Sequence, residues 1–273
     1  MYRFALRGRW LAGLVLVVLA AGVCVRLGIW QLDRLDQRRD RNRLIEERSS
    51  APIAPLGAVV APDGTGDGTA FRRVVVFGHY APEHEVLVRG RSLDGRPGQH
   101  VVTPLVTDGD TAVLVNRGFV PVVDPDAPVP PQAAAPEGAV RVEGFVRETE
   151  ERGRFGPSDP AAGRLTHVAR IDVERLDAQI PFDLFPVFVQ RVDQQPAGGA
   201  FPVALPAPEL GEGPHLSYAV QWFLFATVFL VGWPVLVYRT ARQSPSEPPP
   251  LPDPPEPPDR MRPSSSLQVG QTG

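Results

Sequence analysis

Two long apolar runs bracket a stretch in which short β-branched segments alternate with turn residues. The first run, Trp10 to Val25, is sixteen residues without a charge, and it continues through Arg26 to Trp30. At ~1.5 Å per residue the uncharged part spans ~24 Å, and Trp10 to Trp30 spans ~30 Å, about the hydrocarbon thickness of a bilayer. This predicts a transmembrane helix over 10–30, with Arg26 snorkelling and Trp10 and Trp30 as interfacial rings. A cleaved signal peptide is the rival reading, since Arg3, Arg7 and Arg9 precede the run and "LAAG" supplies small residues. Val23 stands where a lipid-attachment signal at Cys24 wants a small residue, which argues against a lipoprotein.

The second run, Tyr218 to Val237, has Gln221 as its only strongly polar side chain and predicts a second transmembrane helix over 218–238. Arg239 and Arg242 follow it, whereas the twenty residues before it hold no arginine. The positive-inside rule then puts the C-terminus in the cytoplasm. Two spans return the chain to its starting side, so segments 1–9 and 239–273 face the cytoplasm and 31–217 faces outward. The first helix tests this less cleanly, because Arg34, Arg38, Arg39, Arg41 and Arg43 follow it on the outer side.

Between the spans, "QLDRLDQRRDRNRLIEERSS" combines strong helix formers with charge. It extends the first helix into water until "APIAPLG" breaks it. "GAVVAPDGTGDGTA" reads as a loop. Six β-rich runs follow: "FRRVVVFGHY", "HEVLVRGRS", "QHVVTPLV", "TAVLVNRGFV", "AVRVEGFVRE" and "FPVFVQRV". "DVERLDAQI" reads as a short helix capped by Asp172. The fold class is therefore α+β, two transmembrane helices flanking a mostly β extracytoplasmic domain. A Pro-rich excursion, "DPDAPVPPQAAAPEG", interrupts that domain, and the Pro-rich tail after Ser244 reads as disordered.

Composition narrows the function. A chain of 273 residues has room for one folded unit plus anchors. All 28 basic residues are arginine, which reads as genomic base-composition bias. Residues 31–215 hold 20 Arg against 27 Asp+Glu, a balance that excludes a nucleic-acid surface. The single cysteine, Cys24, excludes intrachain disulfides and paired-cysteine metal sites. The sequence has no Gly-rich phosphate cradle, serine nucleophile elbow or H-E-x-x-H, so it does not read as an enzyme. His79, His84 and His100 could converge on a metal, but their spacing fits ordinary turn and hairpin histidines better. His167 is weaker still, and Glu148, Glu150 and Glu151 read as a solvated charge run.

Two features remain. In "TAVLVNRGFVP", Gly118 suits a turn or bulge and Arg117 suits a pair with a carboxylate. In "GPHLSYAVQWF", His215 opens the second apolar run, and on a helical wheel Tyr218, Trp222, Ala226 and Phe229 fall within about 60° of it. That face serves helix packing, and it equally serves an axial haem ligand: an imidazole beside flat apolar side chains.

"LGIWQLDRLDQRRDRNRLI", "FRRVVVFGHYAPEHEVLVRGR", "GQHVVTPLVTDGDTAVLVNRGFVP" and "GPHLSYAVQWFLFA", in that order between two spans, resemble the surfeit locus protein 1 family of cytochrome c oxidase assembly factors. The matching residues are Gly28, Trp30, Gln31 and Leu32, then Gly78 and Tyr80, then Asn116, Arg117, Gly118 and Pro121, and finally His215, Tyr218 and Trp222. Phe119 stands where many members carry tryptophan.

The resemblance implies an inner-membrane protein that helps mature the catalytic subunit of cytochrome c oxidase, in some bacterial members by binding haem a and delivering it. It implies the lipid bilayer, that subunit and the haem a synthesis machinery as partners. His215 would ligate the iron, Tyr218 and Trp222 would line the macrocycle, and Arg26 or Arg117 would meet its propionates. Two alternatives stay open: a membrane-anchored chaperone for the oxidase subunit that binds no haem, and an unrecognised membrane-anchored enzyme.

Overall fold

The computed structural model of the chain describes residues 7–107, 109–121, 129–154 and 156–243. The tail from 244 and residues 124–128 of the Pro-rich excursion lie outside the described residues. The architecture is α+β, with two long apolar helices flanking a mostly β domain. Contacts divide the chain into a helical unit, Met1–Gly28 with Val220–Gly273, and a β unit, Ile29–Ala219.

In chain order the elements are α1 (Gly8–Ser50), β1 (Ala54–Pro55), α2 (Leu56–Val59), β2 (Arg73–Tyr80), β3 (Val86–Leu93), β4 (Arg96–Val106), β5 (Thr111–Pro121), β6 (Ala139–Glu148), β7 (His167–Val168), α3 (Val173–Asp177), β8 (Asp183–Gln195) and α4 (His215–Gln243). All six β-rich runs are strands. The capping reading also holds: the Asp172 side chain accepts from the Arg175 N–H at 3.1 Å and starts α3. Two short strands escaped the pattern, β1 and β7, because two residues are too few to show a period of two.

α1 and α4 each contain a window apolar and long enough to cross a membrane, with mean hydropathy of 2.4 and 1.9. Leu14, Val15, Leu16, Leu19, Val220, Leu224, Val228 and Leu230 are exposed, so both helices carry large apolar side chains on their outer faces. The inward stripe uses small residues opposite large rings. Trp233 lies over Gly13, where a Cβ would come within 2.5 Å of its ring, and Phe223 lies over Gly28, where a Cβ would come within 2.8 Å. Trp10 adds a tilted ring contact to Trp233 at 5.7 Å.

In the β unit one sheet runs β1-β2-β6-β8-β5-β4-β3-β7, and a further pairing of β2 with β4, His79 opposite Val106 and Tyr80 opposite Leu105, joins it to itself. β2, β6, β8, β5 and β4 therefore form a closed five-stranded ring, which removes two edges. Val74, Val76, Leu105, Val113, Val115, Val142, Val146, Val187 and Val189, drawn from all five ring strands, fill one core. A second core covers the outside with Val86, Val88, Leu114, Ile171, Leu176 and Phe188. β5 is buried almost end to end for that reason: Val113 and Val115 join the first core while Ala112 and Leu114 join the second.

The same alternation puts Arg117 on the face of Val113 and Val115. Asn116 pairs opposite Val102 and Gly118 opposite Val101, so Arg117 is the extra residue of a bulge. Gly118 has φ +130, and a Cβ there would strike the carbonyl oxygen of Val203, whose chain pairs with Phe119.

Candidate functional site

His215 is the first residue of α4. Its Nδ1 lies 2.9 Å from Gln31 Oε1. An amide oxygen can only accept, so Nδ1 is the donor, and in the neutral ring this is the tautomer whose lone pair lies on Nε2. Two further side chains of α1 hold the segment leading to His215. Arg39 makes a bidentate pair with Glu212, at 2.8 and 3.1 Å, and Asn42 Nδ2 donates to the Leu210 carbonyl at 2.7 Å. Gly213, with φ +71, then turns the chain; a Cβ there would lie 3.6 Å from His215 Nε2. Glycine at 213 therefore meets a backbone need and leaves the approach to Nε2 clear.

Tyr218 and Trp222 follow His215 at three and seven residues on α4, with Tyr218 exposed and Trp222 half-buried. Within the helical unit Trp222 meets Phe225 edge-on at 5.9 Å. The two rings line a wholly apolar cleft of about 520 Å³ with Ala20, Val23, Cys24, Val228 and Phe229. Flat side chains and a small-residue wall are what a macrocycle edge or an acyl chain would meet there.

The two candidate arginines have separate fates. Arg117 is 1% exposed. Its Nη1 pairs with Glu85 Oε2 at 3.0 Å, its Nη2 donates to the Ala134 carbonyl at 2.8 Å, and its guanidinium lies 5.3 Å over the Tyr80 ring. Thr103 Oγ1 donates to the same Glu85 oxygen, and the Tyr80 hydroxyl donates to Gln194 at 3.2 Å. Burial raises Glu85 above the ordinary carboxylate value against the pull of Thr103 and Arg117, and pushes Tyr80 up to about 12. Arg117 is thus the carboxylate-paired bulge residue and is engaged inside the β unit, where reaching a propionate would break a buried ion pair. Arg26 belongs to the helical unit and is exposed.

The histidines go to separate neighbours. His100 Nδ1 lies 3.2 Å from Asn116 Nδ2, His84 meets Phe182 edge-on at 6.0 Å, and His79 pairs in the β2–β4 seam. Among the described residues no group of three His, Cys, Asp or Glu is placed to hold a metal ion. Gln31 matched a motif without a role, Arg39 counted only toward the charge after the first helix, and Asn42 and Gly213 carry no signal in the sequence. Their partners are up to 184 residues away, and no local spacing encodes such a pairing.

Comparison with known proteins supplies the remaining constraint. Residues 18–227 match the family described as the SURF1 family. An uncharacterised SURF1-like protein of Mycobacterium tuberculosis is 30% identical over 243 residues, covering 88% of this chain and 87% of the relative. Surfeit locus protein 1 of Homo sapiens is 29% identical over 216 residues, covering 72% and 68%. A SURF1-like protein of Monosiga brevicollis is 28% identical over 240 residues, covering 82% and 87%.

Proposed function

Because this chain belongs to the SURF1 family, an assembly-factor family with a general role in cytochrome oxidase assembly, we propose that it carries haem a to the catalytic subunit of cytochrome c oxidase. The single observation behind this reading is the hydrogen bond from His215 Nδ1 to Gln31 at the start of an apolar helix, which in the neutral ring leaves Nε2 as the nitrogen that can ligate. A ligating histidine is oriented and made a better donor when its other ring nitrogen is held in this way. When bound, haem would supply an iron that takes a nitrogen ligand. His215 would be that ligand, Gln31 would hold its ring, and Tyr218 and Trp222 would offer the macrocycle flat apolar contacts. One strong ligand permits retention while still allowing release to the subunit.

In this reading α1 and α4 cross the cell's inner membrane, both termini are cytoplasmic, and the β unit works on the outer side, consistent with Arg239 and Arg242 after the apolar stretch of α4. The catalytic subunit and the haem a synthesis machinery are the partners. Arg117 has no part in the proposal, since its charge is already matched by Glu85. Arg26 stays in it only as a propionate contact to be tested.

The test is the visible spectrum and extracted-haem identity of the full chain, purified in detergent from cells that make haem a, beside His215→Ala purified identically. A haem a signal that collapses in the folded variant is the expected result. No haem in either protein overturns the carrier reading and leaves chaperoning of the oxidase subunit as the account of the family role.

A further inference from the structure

Above Gln31 on α1, within the β unit, Arg38 and Arg41 face Arg147 of β6 across a pocket of about 210 Å³ completed by Asn42, Ile45, Phe71 and Glu209. Three arginines line it with one carboxylate, and among the described residues none of the three is ion-paired. Arg147 donates only a long bond, 3.4 Å, to the Gln190 amide, and its guanidinium lies 4.9 Å over the Phe71 ring. Burial holds Arg147 below its ordinary value; Glu150 opposes this and Arg41 adds to it. Phe71 itself has φ +69, a left-handed conformation that costs a non-glycine residue energy and is sustained only where its surroundings require it. Convergent arginines beside an apolar ring make a receptor for a carboxylate attached to a flat apolar body.

We propose that this pocket binds a propionate of the haem held at His215, an inference that rests on the carrier reading above. Arg38 is seven residues from Gln31, so it lies ~20° around α1 from it and ~10 Å further along the axis, with Arg41 another turn on. Gln31 grips His215, so the arginine ladder rises from the ligand's own anchor toward the aqueous side. A haem carries its carboxylates on one edge, and that edge belongs on the side away from the apolar part of the helix. This assigns to Arg38, Arg41 and Arg147 the propionate contact first considered for Arg117.

Arg38 and Arg41 are exposed, so replacing them leaves the fold intact. The experiment titrates the full-length protein in detergent, as wild type, Arg38→Gln/Arg41→Gln and His215→Ala, with haem a and with its propionate dimethyl ester, following the Soret band. The double variant is expected to bind haem a about 10- to 100-fold more weakly than wild type, the range for losing one or two charge-assisted hydrogen bonds, and to bind the ester as wild type does. If the double variant binds haem a like wild type while His215→Ala does not, the pocket assignment is overturned and the carrier reading stands. If wild type takes up neither haem, the carrier reading fails and this inference falls with it.

Discussion

The Nδ1–H of His215 donates to Gln31 Oε1 across 2.9 Å, joining the first residue of α4 to a residue 184 positions earlier in α1. Replacing Gln31 with Leu frees the ring to rotate and removes its acceptor, so haem retention is expected to fall roughly 10- to 100-fold with folding preserved. Gln31→Glu retains an acceptor and strengthens it, which should keep haem bound and lower its midpoint potential. A Gln31→Leu protein with unaltered spectrum and affinity would separate Gln31 from the site.

Arg117 and Glu85 form a buried pair, and removing one partner strands the other charge. Arg117→Met is expected to cost about 3–5 kcal/mol, whereas the double change with Glu85→Gln should cost clearly less. Denaturant midpoints of the two single variants and the double variant in detergent check this. Additive losses would show that the two side chains do not act as a pair.

Burial, with Arg91 adding, holds His100 down at about 4, although Glu150 opposes it. Between its unfolded value near 6.5 and about 4, the unfolded chain binds the extra proton. Stability is therefore full above that window and is lost as pH falls through it, by a few kcal/mol at most. His100→Phe, which can meet Phe119 but cannot titrate, should flatten the dependence of the unfolding midpoint between pH 4 and 7. An unchanged slope would assign the acid sensitivity to other groups.

At Gly28 a Cβ would sit 2.8 Å from the Phe223 ring. Gly28→Val is expected to destabilise the helix pair by about 1–3 kcal/mol, and Phe223→Ala in the same chain should restore part of it. Thermal stability in detergent measures both. A second change that deepens the loss would rule out the contact as the cause.

The sequence by itself determined what depends on near neighbours. Apolar run length and flanking charge are local, and they gave both long helices. Alternation is local too, so six strands could be read from their side chains, and Asp172 marked its helix because a cap acts within three residues. Even Gly118 could be read as a bulge, since the need for an unusual φ belongs to one residue. His215 was legible as a candidate because of where it stands in the apolar pattern.

Only the tertiary structure decided the rest. Closure of the ring depends on two residue pairs between β2 and β4, and neither strand's pattern names its partner. β5 is buried on both faces, and only the two cores explain why. Arg117 read both as a carboxylate partner and as a propionate contact, and Glu85, brought from 32 residues away, decided for the first. Gln31, Arg39 and Asn42 found their partners only when α1 was laid beside the 208–215 segment. A hydrogen bond or an ion pair is a relation between surfaces, and chain folding brings those surfaces together from positions whose separation leaves no trace in either local pattern.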